Sequence, residues 1–399
     1  MGLALVTAGE SHGRELLAVL TGIPAGLALD RGGIDHELAR RQHGFGRGGR
    51  QKIERDHVDV RAGLRDGRTT GGPLALAIAN RDWENWATVM DPWQADAGAS
   101  ARKALATPRP GHADLAGAWK YHHESDLRNV LERASARETA ARVAAGAVCR
   151  QLLAMAGVEI RSGVLALGGV VLHDGPPGWE LLQAVDDDSP LRSVAPSRES
   201  SLVELVEEAK HTGETLGGVV GVVAHRVPPG LGSYTAWEER LDGQLAQAIM
   251  SVQAVKAVAI GAGLEAAALP GSRAHDAIVP GVGGLSRPSN HAGGLEGGVS
   301  NGEDLVLRAF MKPIATLRTP LPSVDLVGGG AASASYERSD VTAVPACGVI
   351  VEAMVAFVLA RALLAKFGGD TVEDTLAALA AYRTRLGTTG PERFSGPRR

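Results

Sequence analysis

Basic side chains are concentrated on one glycine-rich stretch near the N-terminus. Between residues 40 and 55 the only acid is Glu54, and six cations and four glycines make up much of the rest: Arg40, Arg41, Arg47, Arg50, Lys52, Arg55, Gly44, Gly46, Gly48 and Gly49. Arginine side chains on a flexible loop can bind a carboxylate or a phosphate through paired hydrogen bonds. The stretch therefore indicates a site for a small anion, although a solvated basic surface would have the same composition.

Two histidines lie where a side chain could transfer protons. His12 follows the first strand-like run, in Gly9-Glu-Ser-His-Gly13, and His112 lies beside Arg109 on the turn Arg109-Pro-Gly-His-Ala-Asp114. Histidine gains and loses its charge near neutral pH. An adjacent arginine adds the capacity to bind an anion. Either histidine alone would also be compatible with a structural or surface role.

Three further segments combine cations with polar groups. Ser135-Ala-Arg-Glu138 fits a capping box at a helix start, where free amides attract phosphate, and Arg133 and Arg137 strengthen that site. A plain capped helix would explain the serine and the glutamate but not both arginines. Lys312-Pro-Ile-Ala-Thr316 ends a strand, and Arg338-Ser-Asp340 follows a loop. Since the net charge is −4, the chain gathers cations locally while the rest of its surface stays acidic.

Several other kinds of site are disfavoured. Residues 44–49 match G-x-G-x-x-G, but a helix precedes them and a strand-like run follows, so a dinucleotide fingerprint is rejected, and no Walker phosphate loop occurs. Cys149 and Cys347 fit neither a metal site nor a disulfide framework, and no signal peptide is expected, which favours a reduced cytoplasmic protein. A pI near 6.3 and few aromatic residues argue against nucleic-acid binding.

The elements that must position these groups are strands and helices without a strict β-α-β alternation. Hydrophobic patterning predicts strands at 3–7, 16–21, 57–64, 73–79, 158–172, 218–227 and 305–309. It predicts helices at 34–43, 202–211, 237–260, 346–367 and 371–386, and one that begins at the capping box. Irregular structure is expected at 91–108, 174–200 and 281–302. Without a clear linker, the sequence predicts an α+β fold, a single large domain over residues 1–386, and a flexible polar tail at 387–399.

One segment is apolar enough to raise the question of a membrane span. Val349 to Ala365 is interrupted only by Glu352 and Arg361, whereas a spanning helix needs about 20 apolar residues without central charges. A buried helix that ends at the Gly368-Gly369 pair accounts for the same residues. We therefore expect no membrane association.

Together and in this order, the polar segments resemble the chorismate synthase family. The matching motifs, spread over about residues 3 to 367, are Ala8-Gly-Glu-Ser-His-Gly13, Gly46-Arg-Gly-Gly-Arg50, Ile53-Glu-Arg-Asp56, Arg109-Pro-Gly-His-Ala-Asp114, Glu132-Arg-Ala-Ser-Ala-Arg-Glu-Thr139, Ser251-Val-Gln-Ala-Val-Lys256, Ser272-Arg-Ala-His-Asp276, Asn290-His-Ala-Gly-Gly-Leu-Glu-Gly-Gly298, Lys312-Pro-Ile-Ala-Thr316 and Arg338-Ser-Asp-Val-Thr-Ala-Val-Pro345. Two departures are Gln51, where the family usually has methionine, and the unfamiliar sequence of segment 174–200.

The resemblance implies an activity, a fold and an assembly. The family converts 5-enolpyruvylshikimate 3-phosphate to chorismate and phosphate, a 1,4-elimination without net redox change that requires reduced FMN. Its fold is a sandwich of antiparallel sheets around long helices, and it usually forms a homotetramer. The resemblance leaves open whether NADPH reduces the flavin directly on the enzyme or through an external flavin reductase. Large insertions sometimes accompany self-reduction in this family. They are not evident in this sequence, which favours the external route.

The resemblance also implies residue roles. His12 would protonate or stabilise the departing phosphate, His112 would donate a proton to the reduced flavin, and Asp340 would help to remove the ring proton of the substrate. The substrate anions would be held by Arg41, Arg50, Arg109 and Arg137. The flavin site, with Arg47 at its mouth where a nicotinamide cofactor would approach, would comprise Arg47, Arg133, Ser135, Ala136, Arg137, Gln253, Ala254, Gly297, Lys312, Pro313, Ile314, Ala315, Thr316 and Arg338.

Two alternatives belong to other functional classes. A flavoprotein oxidoreductase of the same fold, acting on another anionic small molecule, would consume a reductant in each turnover. A non-enzymatic binder of anions or RNA would use the arginine loops, but it has no need for His12, His112 and Asp340 among them.

Overall fold

The computed structural model describes residues 2–48, 54–281, 284–337 and 339–387. Its strands are β1 Ala4–Ala8, β2 Glu15–Thr21, β3 Asp59–Ala62, β4 Leu64–Arg65, β5 Arg68–Thr69, β6 Leu74–Ala79, β7 Glu159–Leu167, β8 Val170–Val171, β9 Gly218–His225, β10 Val255–Ile260, β11 Val279–Gly281, β12 Gly284–Ser286, β13 Leu295–Glu296, β14 Val299–Ser300, β15 Leu305–Met311, β16 Pro322–Val324 and β17 Ala331–Ser333.

The helices range from single turns to a core helix of 24 residues. They are α1 Arg31–Gln42, α2 Ala87–Met90, α3 Ala97–Lys103, α4 Asp114–Tyr121, α5 Arg128–Ala134, α6 Thr139–Met155, α7 Trp179–Gln183, α8 Glu199–Thr212, α9 Leu241–Met250, α10 Leu264–Ala267, α11 Gly271–Ala274, α12 Val344–Phe367 and α13 Val372–Gly387.

Two antiparallel sheets and two long helices form the layers of the fold. The first sheet has the strand order β1-β2-β6-β3, and the second has the order β10-β15-β9-β7-β8. Helix α6 packs on β2 and β6, α12 packs on β7 and β9, and the two helices pack against each other between the sheets. The predicted α+β fold with sheets around long helices is therefore confirmed.

Helix α12 is the core of the molecule rather than a membrane span. Among the described residues it is the one helix long and apolar enough to cross a bilayer, but 89% of its most apolar window is buried inside the protein. Its central acid, Glu352, is fully buried and binds Arg40, Arg150 and Ser162. The predicted buried helix is thus confirmed, and its polar interruption is satisfied by ion pairs.

One long predicted helix is wrong. Residues 237–260 were expected to be helical throughout, but α9 ends at Met250 and Val255–Ile260 is strand β10. The chain reverses at Ala254, which has a positive φ of 67°. The residues that follow are rich in β-branched side chains, and they pair with β15 in the second sheet.

The three segments predicted to be irregular contain short regular elements. Segment 91–108 contains α3, whose start is capped by the side chain of Asp96. Segment 174–200 contains α7, which buries Trp179 and Leu182 against the second sheet. Segment 281–302 contains short hairpin strands. These elements have only two to seven residues, too short for a periodic pattern to stand out.

Candidate active site

The site is built around three arginines from the N-terminal half of the chain, Arg41, Arg47 and Arg137. Arg41 lies in the last turn of α1 and donates hydrogen bonds to Thr139 Oγ1 (2.9 Å) and the carbonyl of Ala136 (3.0 Å). Arg137, just before α6, donates to both oxygens of Asp56 at 2.7 Å. Its Nε atom donates to Asn80 at 2.9 Å. These contacts hold buried guanidinium groups at the junction of α1 and α6.

Each of the three arginines keeps one buried N–H group without a hydrogen-bond partner among the described residues. The atoms are Arg41 Nη1, Arg47 Nε and Arg137 Nη2. The last of these lies 3.6 Å from the carboxylate of Glu54, beyond hydrogen-bond distance. Buried donors are normally satisfied in folded proteins, so three unsatisfied cationic donors are a feature of a site built for an anionic ligand.

The electrostatics of Arg41 fit the same interpretation. Burial, together with the positive charges of Arg137 and Arg47, outweighs the attraction of Asp56 and lowers the pKa of Arg41 from its ordinary value to about 9. The lowered pKa means that the cationic form is destabilised by its surroundings. A bound anion would relieve this destabilisation.

Asp340 lies on the loop that precedes α12, and its side chain faces Arg47. Its Oδ1 atom accepts a hydrogen bond from the backbone N–H of Gly48 (2.6 Å), and Oδ2 lies 3.0 Å from Arg47 Nη1. A side chain at residue 48 would meet the carbonyl of Ser339 at 3.0 Å, so only glycine fits this approach comfortably. The predicted catalytic acid is therefore brought to the arginine cluster.

His112 belongs to a second cluster at the start of α4. Its Nδ1 atom lies 2.5 Å from Asp114 Oδ1, and Arg109 donates to Asp114 Oδ2 (2.8 Å) and to Thr316 Oγ1 (2.8 Å). Burial alone would raise the pKa of Asp114, but hydrogen bonds from His112 and Arg109 outweigh it and hold that pKa well below its usual range. Asp114 is therefore an ionised carboxylate that orients both neighbours.

His12 lies on the loop between β1 and β2, with its side chain 13% exposed. Its ring stacks on Trp86 with a centroid distance of 4.0 Å. Its Nδ1 atom is 2.8 Å from Oε1 of Glu132, a buried acid near the end of α5. A histidine held by a carboxylate and an aromatic ring is positioned for proton transfer.

A cavity of about 660 Å³ connects parts of the two clusters. Its lining includes Arg47, Asp340 and Thr316, together with Lys210 at the end of α8 and Arg318. This volume is within the range of small-molecule sites. Thr316 connects the cavity to Arg109, its hydrogen-bond partner.

Most residues predicted to hold the flavin lie beside these clusters. The backbone N–H of Lys312 donates to the carbonyl of Ala254 (2.9 Å), and Lys312 Nζ is close to Gly111 on the His112 turn. Gln253 donates to Glu138 at 3.3 Å, and its buried Oε1 has no partner among the described residues. The predicted residues Pro313, Ile314, Ala315 and Thr316 follow directly after Lys312 in the chain. Ala136 is the carbonyl partner of Arg41.

The capping box at Ser135 is wrong in its details. Ser135 Oγ accepts from the N–H of Arg137 (3.2 Å), but Glu138 binds Thr7 and Arg142 instead of the serine amide. That amide is already bonded to the carbonyl at the end of α5, which runs directly into this turn. The serine instead donates to the hydroxyl of Ser11 (3.1 Å), and so joins the turn to the loop that carries His12.

Two predicted cofactor residues lie away from the arginine cluster. Arg133 is 44% exposed and donates to the backbone carbonyls of Thr7 and Gly9. Gly297 lies at the exposed tip of the β13–β14 hairpin, whose next residue packs on Arg240. Arg50 and Arg338 lie outside the described residues.

Sequence reasoning assigned no role to the acids that orient the functional groups. Asp56, Asp114 and Glu132 all lie inside motifs that the resemblance identifies, yet each looks like an ordinary surface acid in isolation. Their burial at 3%, 1% and 2% exposure marks them as partners of cations and histidines. The available signal was their position along the chain. Asp114 comes two residues after His112, Glu132 directly precedes Arg133, and Asp56 directly follows Arg55.

Comparison with known proteins agrees with this architecture. The family model described as chorismate synthase matches residues 3–364. A protein named chorismate synthase from Moorella thermoacetica is 55% identical over 96% of this chain and 99% of its own length. One with the same name from Mycobacterium avium is 53% identical over 96% of each chain. A crystal structure of chorismate synthase superposes with a TM-score of 0.77 at 41% identity, over 97% of this chain and 99% of the other. The chain belongs to the chorismate synthase family.

Proposed function

We propose that this chain is a phosphate lyase that converts 5-enolpyruvylshikimate 3-phosphate to chorismate and inorganic phosphate, with reduced FMN as cofactor. The observation that carries the proposal is the set of three buried donors, on Arg41, Arg47 and Arg137, that find no hydrogen-bond partner within the described part of the chain. The substrate has two carboxylates and a phosphate, and such groups are the natural partners of guanidinium donors. Membership in the family supports the same reaction.

The chain's own residues would divide the work of the elimination. The reaction breaks one C–O bond to phosphate, removes one ring proton and forms one C=C bond. His12, held by Glu132, is placed to protonate or stabilise the departing phosphate. Asp340 carries a carboxylate that could accept a proton, and Arg47 and the Gly48 amide stabilise its charge. His112, oriented by Asp114, supplies the second proton-transferring group.

Residues of both clusters fit a flavin. The unsatisfied Oε1 of Gln253 and the ammonium of Lys312 offer an acceptor and a cation, and Ser135, Ala136 and residues 312–316 would complete its binding site. Burial lowers the pKa of Lys312, and the charge of the nearby Lys256 lowers it further. A bound anionic group would therefore stabilise the charged form of Lys312. Reduced FMN, when bound, supplies electron density as the C–O bond breaks and is regenerated. The roles of Arg50, Arg109, Arg133, Gly297 and Arg338 remain predictions of the resemblance.

The reductant, the assembly and the location belong to the same proposal. We expect NADPH to supply electrons, directly or through an external flavin reductase, and the enzyme to act in the cytoplasm. A homotetramer would cover some of the large exposed apolar side chains, among them Trp93, Tyr234 and Trp237, which are 91%, 79% and 79% exposed.

An anaerobic assay tests the proposed reaction. The protein is incubated with 5-enolpyruvylshikimate 3-phosphate and dithionite-reduced FMN, and chorismate absorbance and phosphate release are followed together. Equal yields of both products, with the flavin still reduced, are expected. If the folded protein binds FMN but forms neither product, the reaction is not the elimination. Consumption of the reductant with each turnover would instead favour a flavoprotein oxidoreductase.

Two substitutions test the proton-transfer groups. We expect His112→Ala and Asp340→Asn each to lower turnover by about a hundredfold or more while FMN still binds, since a positioned acid or base contributes about 10²–10⁴ in rate. His211→Ala, on the exposed face of α8, is the control and should leave turnover unchanged. Near-normal turnover in either variant would remove that residue from the mechanism.

A further inference from the structure

Glu132 binds His12 through both of its carboxylate oxygens. Oε2 accepts the backbone N–H of His12 at 2.7 Å, and Oε1 faces the ring nitrogen Nδ1 at 2.8 Å. The backbone carbonyl of Glu132 also accepts the N–H of Ser11 at 2.9 Å. One residue of α5 therefore holds the main chain and the side chain of the histidine loop together.

Glu132 is ionised in this environment. Burial would raise its pKa, but hydrogen bonds and attraction from His12, together with the charge of Arg128, outweigh burial and lower it. An ionised carboxylate only accepts hydrogen bonds, so the proton between the two side chains belongs to His12 Nδ1. In the neutral imidazole Nε2 is then the unprotonated nitrogen, and proton exchange with a ligand must take place there.

The surroundings of the pair restrict the ring further. Trp86 stacks on His12 at an interplanar angle of 28°, and its ring also contacts the cations of Lys103 (4.6 Å) and Arg128 (4.9 Å). Arg128 donates to Glu132 Oε1 at 3.3 Å and to Glu337 at 3.0 Å. Among the described residues, these contacts place Lys103, Arg128 and Glu337 around the pair, and Arg128 is the one of the three that bonds to Glu132.

We propose that Glu132 is a positioning residue that keeps a proton on Nδ1 of His12, so that the imidazolium gives its Nε2 proton to the leaving phosphate and is left as the neutral Nδ1–H tautomer. The identity of the leaving group rests on the proposed function, whereas the tautomer rests on the hydrogen-bond geometry and the ionised carboxylate of Glu132. The role of Glu132 is chemical as well as structural, because its effect depends on a group that accepts and cannot donate.

The substitution Glu132→Gln separates these two roles. The backbone N–H of His12 can only donate, so the glutamine carbonyl must face it, and the amide NH₂ then faces Nδ1. A ring nitrogen that accepts from NH₂ carries no proton, and the neutral ring must adopt the Nε2–H form. The side chain keeps almost the same size, but the reacting nitrogen is exchanged.

The tautomer is measured directly by ¹⁵N NMR of histidine-labelled protein at a pH where the ring is neutral. The chain has 12 histidines, and the His12 signals are assigned by their loss in His12→Asn. We expect the Nδ1–H form in the wild-type protein and the Nε2–H form in Glu132→Gln. Glu132→Asp keeps an acceptor-only group and is expected to retain Nδ1–H. Glu337→Gln alters the same arginine network without touching His12 and serves as the matched control, with Nδ1–H unchanged.

Kinetics complete the test. In Glu132→Gln we expect kcat for phosphate release to fall about a hundredfold, with KM changed less than about threefold, since the loss concerns proton transfer rather than binding. An Nε2–H ring in the wild-type protein, an unchanged tautomer in Glu132→Gln, or turnover within about threefold of normal in that variant would each overturn the inference. Absence of phosphate release from the wild-type protein would count against the proposed function instead, and the NMR result would still decide the tautomer.

Discussion

Arg41 and Arg137 are buried, the side chain of Arg47 is 8% exposed, and each keeps one buried N–H group without a hydrogen-bond partner among the described residues. A buried donor without a partner costs about 1–3 kcal/mol, and more when the donor is charged. Three such groups lie together, beside Asp56 and the start of α6, while Arg192 Nε and Arg308 Nε also lack a partner elsewhere among the described residues. Such a cluster is stabilised as a unit when one polyanion meets several donors at once.

Inorganic phosphate should therefore stabilise the folded protein. Ligand binding at about 100 times Kd adds about 2.7 kcal/mol to the free energy of unfolding, which thermal denaturation with and without phosphate would detect. Arg41→Met should abolish most of this gain in stability. Arg68 is an exposed arginine that donates to the Gly26 carbonyl, and Arg68→Met should retain the gain. Because the pKa of Arg41 is lowered to about 9, the gain should decline as the pH rises through that value. Equal gains in both variants would contradict the assignment of the anion site.

At this scale the sequence indicates the cations and histidines but not what orients them. Glycine-rich arginine segments and His112 beside Arg109 are visible as local patterns, because their chemistry depends on neighbours along the chain. The pairing of His12 with Glu132 joins residues 120 positions apart. No local pattern distinguishes such a buried acid from a solvated one, and only the packing of α5 against the β1–β2 loop reveals it.

At the scale of elements, α1 is fixed from two sides by adjacent residues. Arg40 binds Glu352 of α12 at 2.9 Å, while Arg41 binds Thr139 at the start of α6. The position of the anion-binding arginine therefore depends on how closely α6 and α12 approach. The two helices are in close contact at Gly146, where a Cβ atom would lie 2.4 Å from the Cβ of Ala353 and 2.6 Å from its Cα.

Two glycine-to-alanine substitutions test this close contact. Alanine favours a helix over glycine by about 1 kcal/mol, but at Gly146 it would force α6 and α12 apart, and overpacking costs about 1–3 kcal/mol. We expect Gly146→Ala to lower the free energy of unfolding in urea and Gly243→Ala to raise it. Gly243 is the control because it lies in α9 with no atom within 4 Å of its added Cβ. Stabilisation by both substitutions would show that the helices are not in tight contact.

The elements that were predicted correctly are those with long, uninterrupted patterns. Apart from β10, the strands of both sheets are found within a few residues of their predicted ends, and so are helices α8, α12 and α13. The α9 helix was extended through β10 because apolar residues continue beyond Met250 without a glycine or proline. The turn there depends on a non-glycine residue, Ala254, with positive φ, and this conformation has no signature in the sequence.

At the scale of the whole molecule, loops from both sheets carry residues of the proposed site. His12 comes from the first sheet, residues 312–316 follow the last long strand of the second, and Asp340 precedes the helix between them. The sheets are held together by α6 and α12, and the ion pairs of Glu352 stabilise this junction. The charge of buried carboxylates should consequently determine the stability of the entire fold.

The free energy of unfolding should depend on pH with a sign set by these carboxylates. Burial alone would raise their pKa values, but arginine, histidine or hydroxyl partners outweigh it and lower the pKa of Asp114, Glu132, Glu138, Asp187 and Glu352. A carboxyl group with a lowered folded pKa binds fewer protons in the folded state. Stability from these groups is therefore complete above their ordinary values, about 4 to 4.5, and is lost as the pH falls below them toward the folded values.

Urea unfolding of the wild-type protein and of Glu352→Gln between pH 3 and 8 tests this dependence. Loss of the buried carboxylate leaves Arg40, Arg150 and Arg192 without their charged partner, so we expect a loss of about 3–5 kcal/mol at neutral pH. Since the variant lacks one of the depressed carboxyl groups, its stability should also fall less steeply below about pH 4.5. Glu159→Gln removes an exposed pair with Arg226 and should change stability by less than about 1 kcal/mol. An equally steep acid transition in Glu352→Gln would mean that the helix junction does not contribute to the acid sensitivity of the fold.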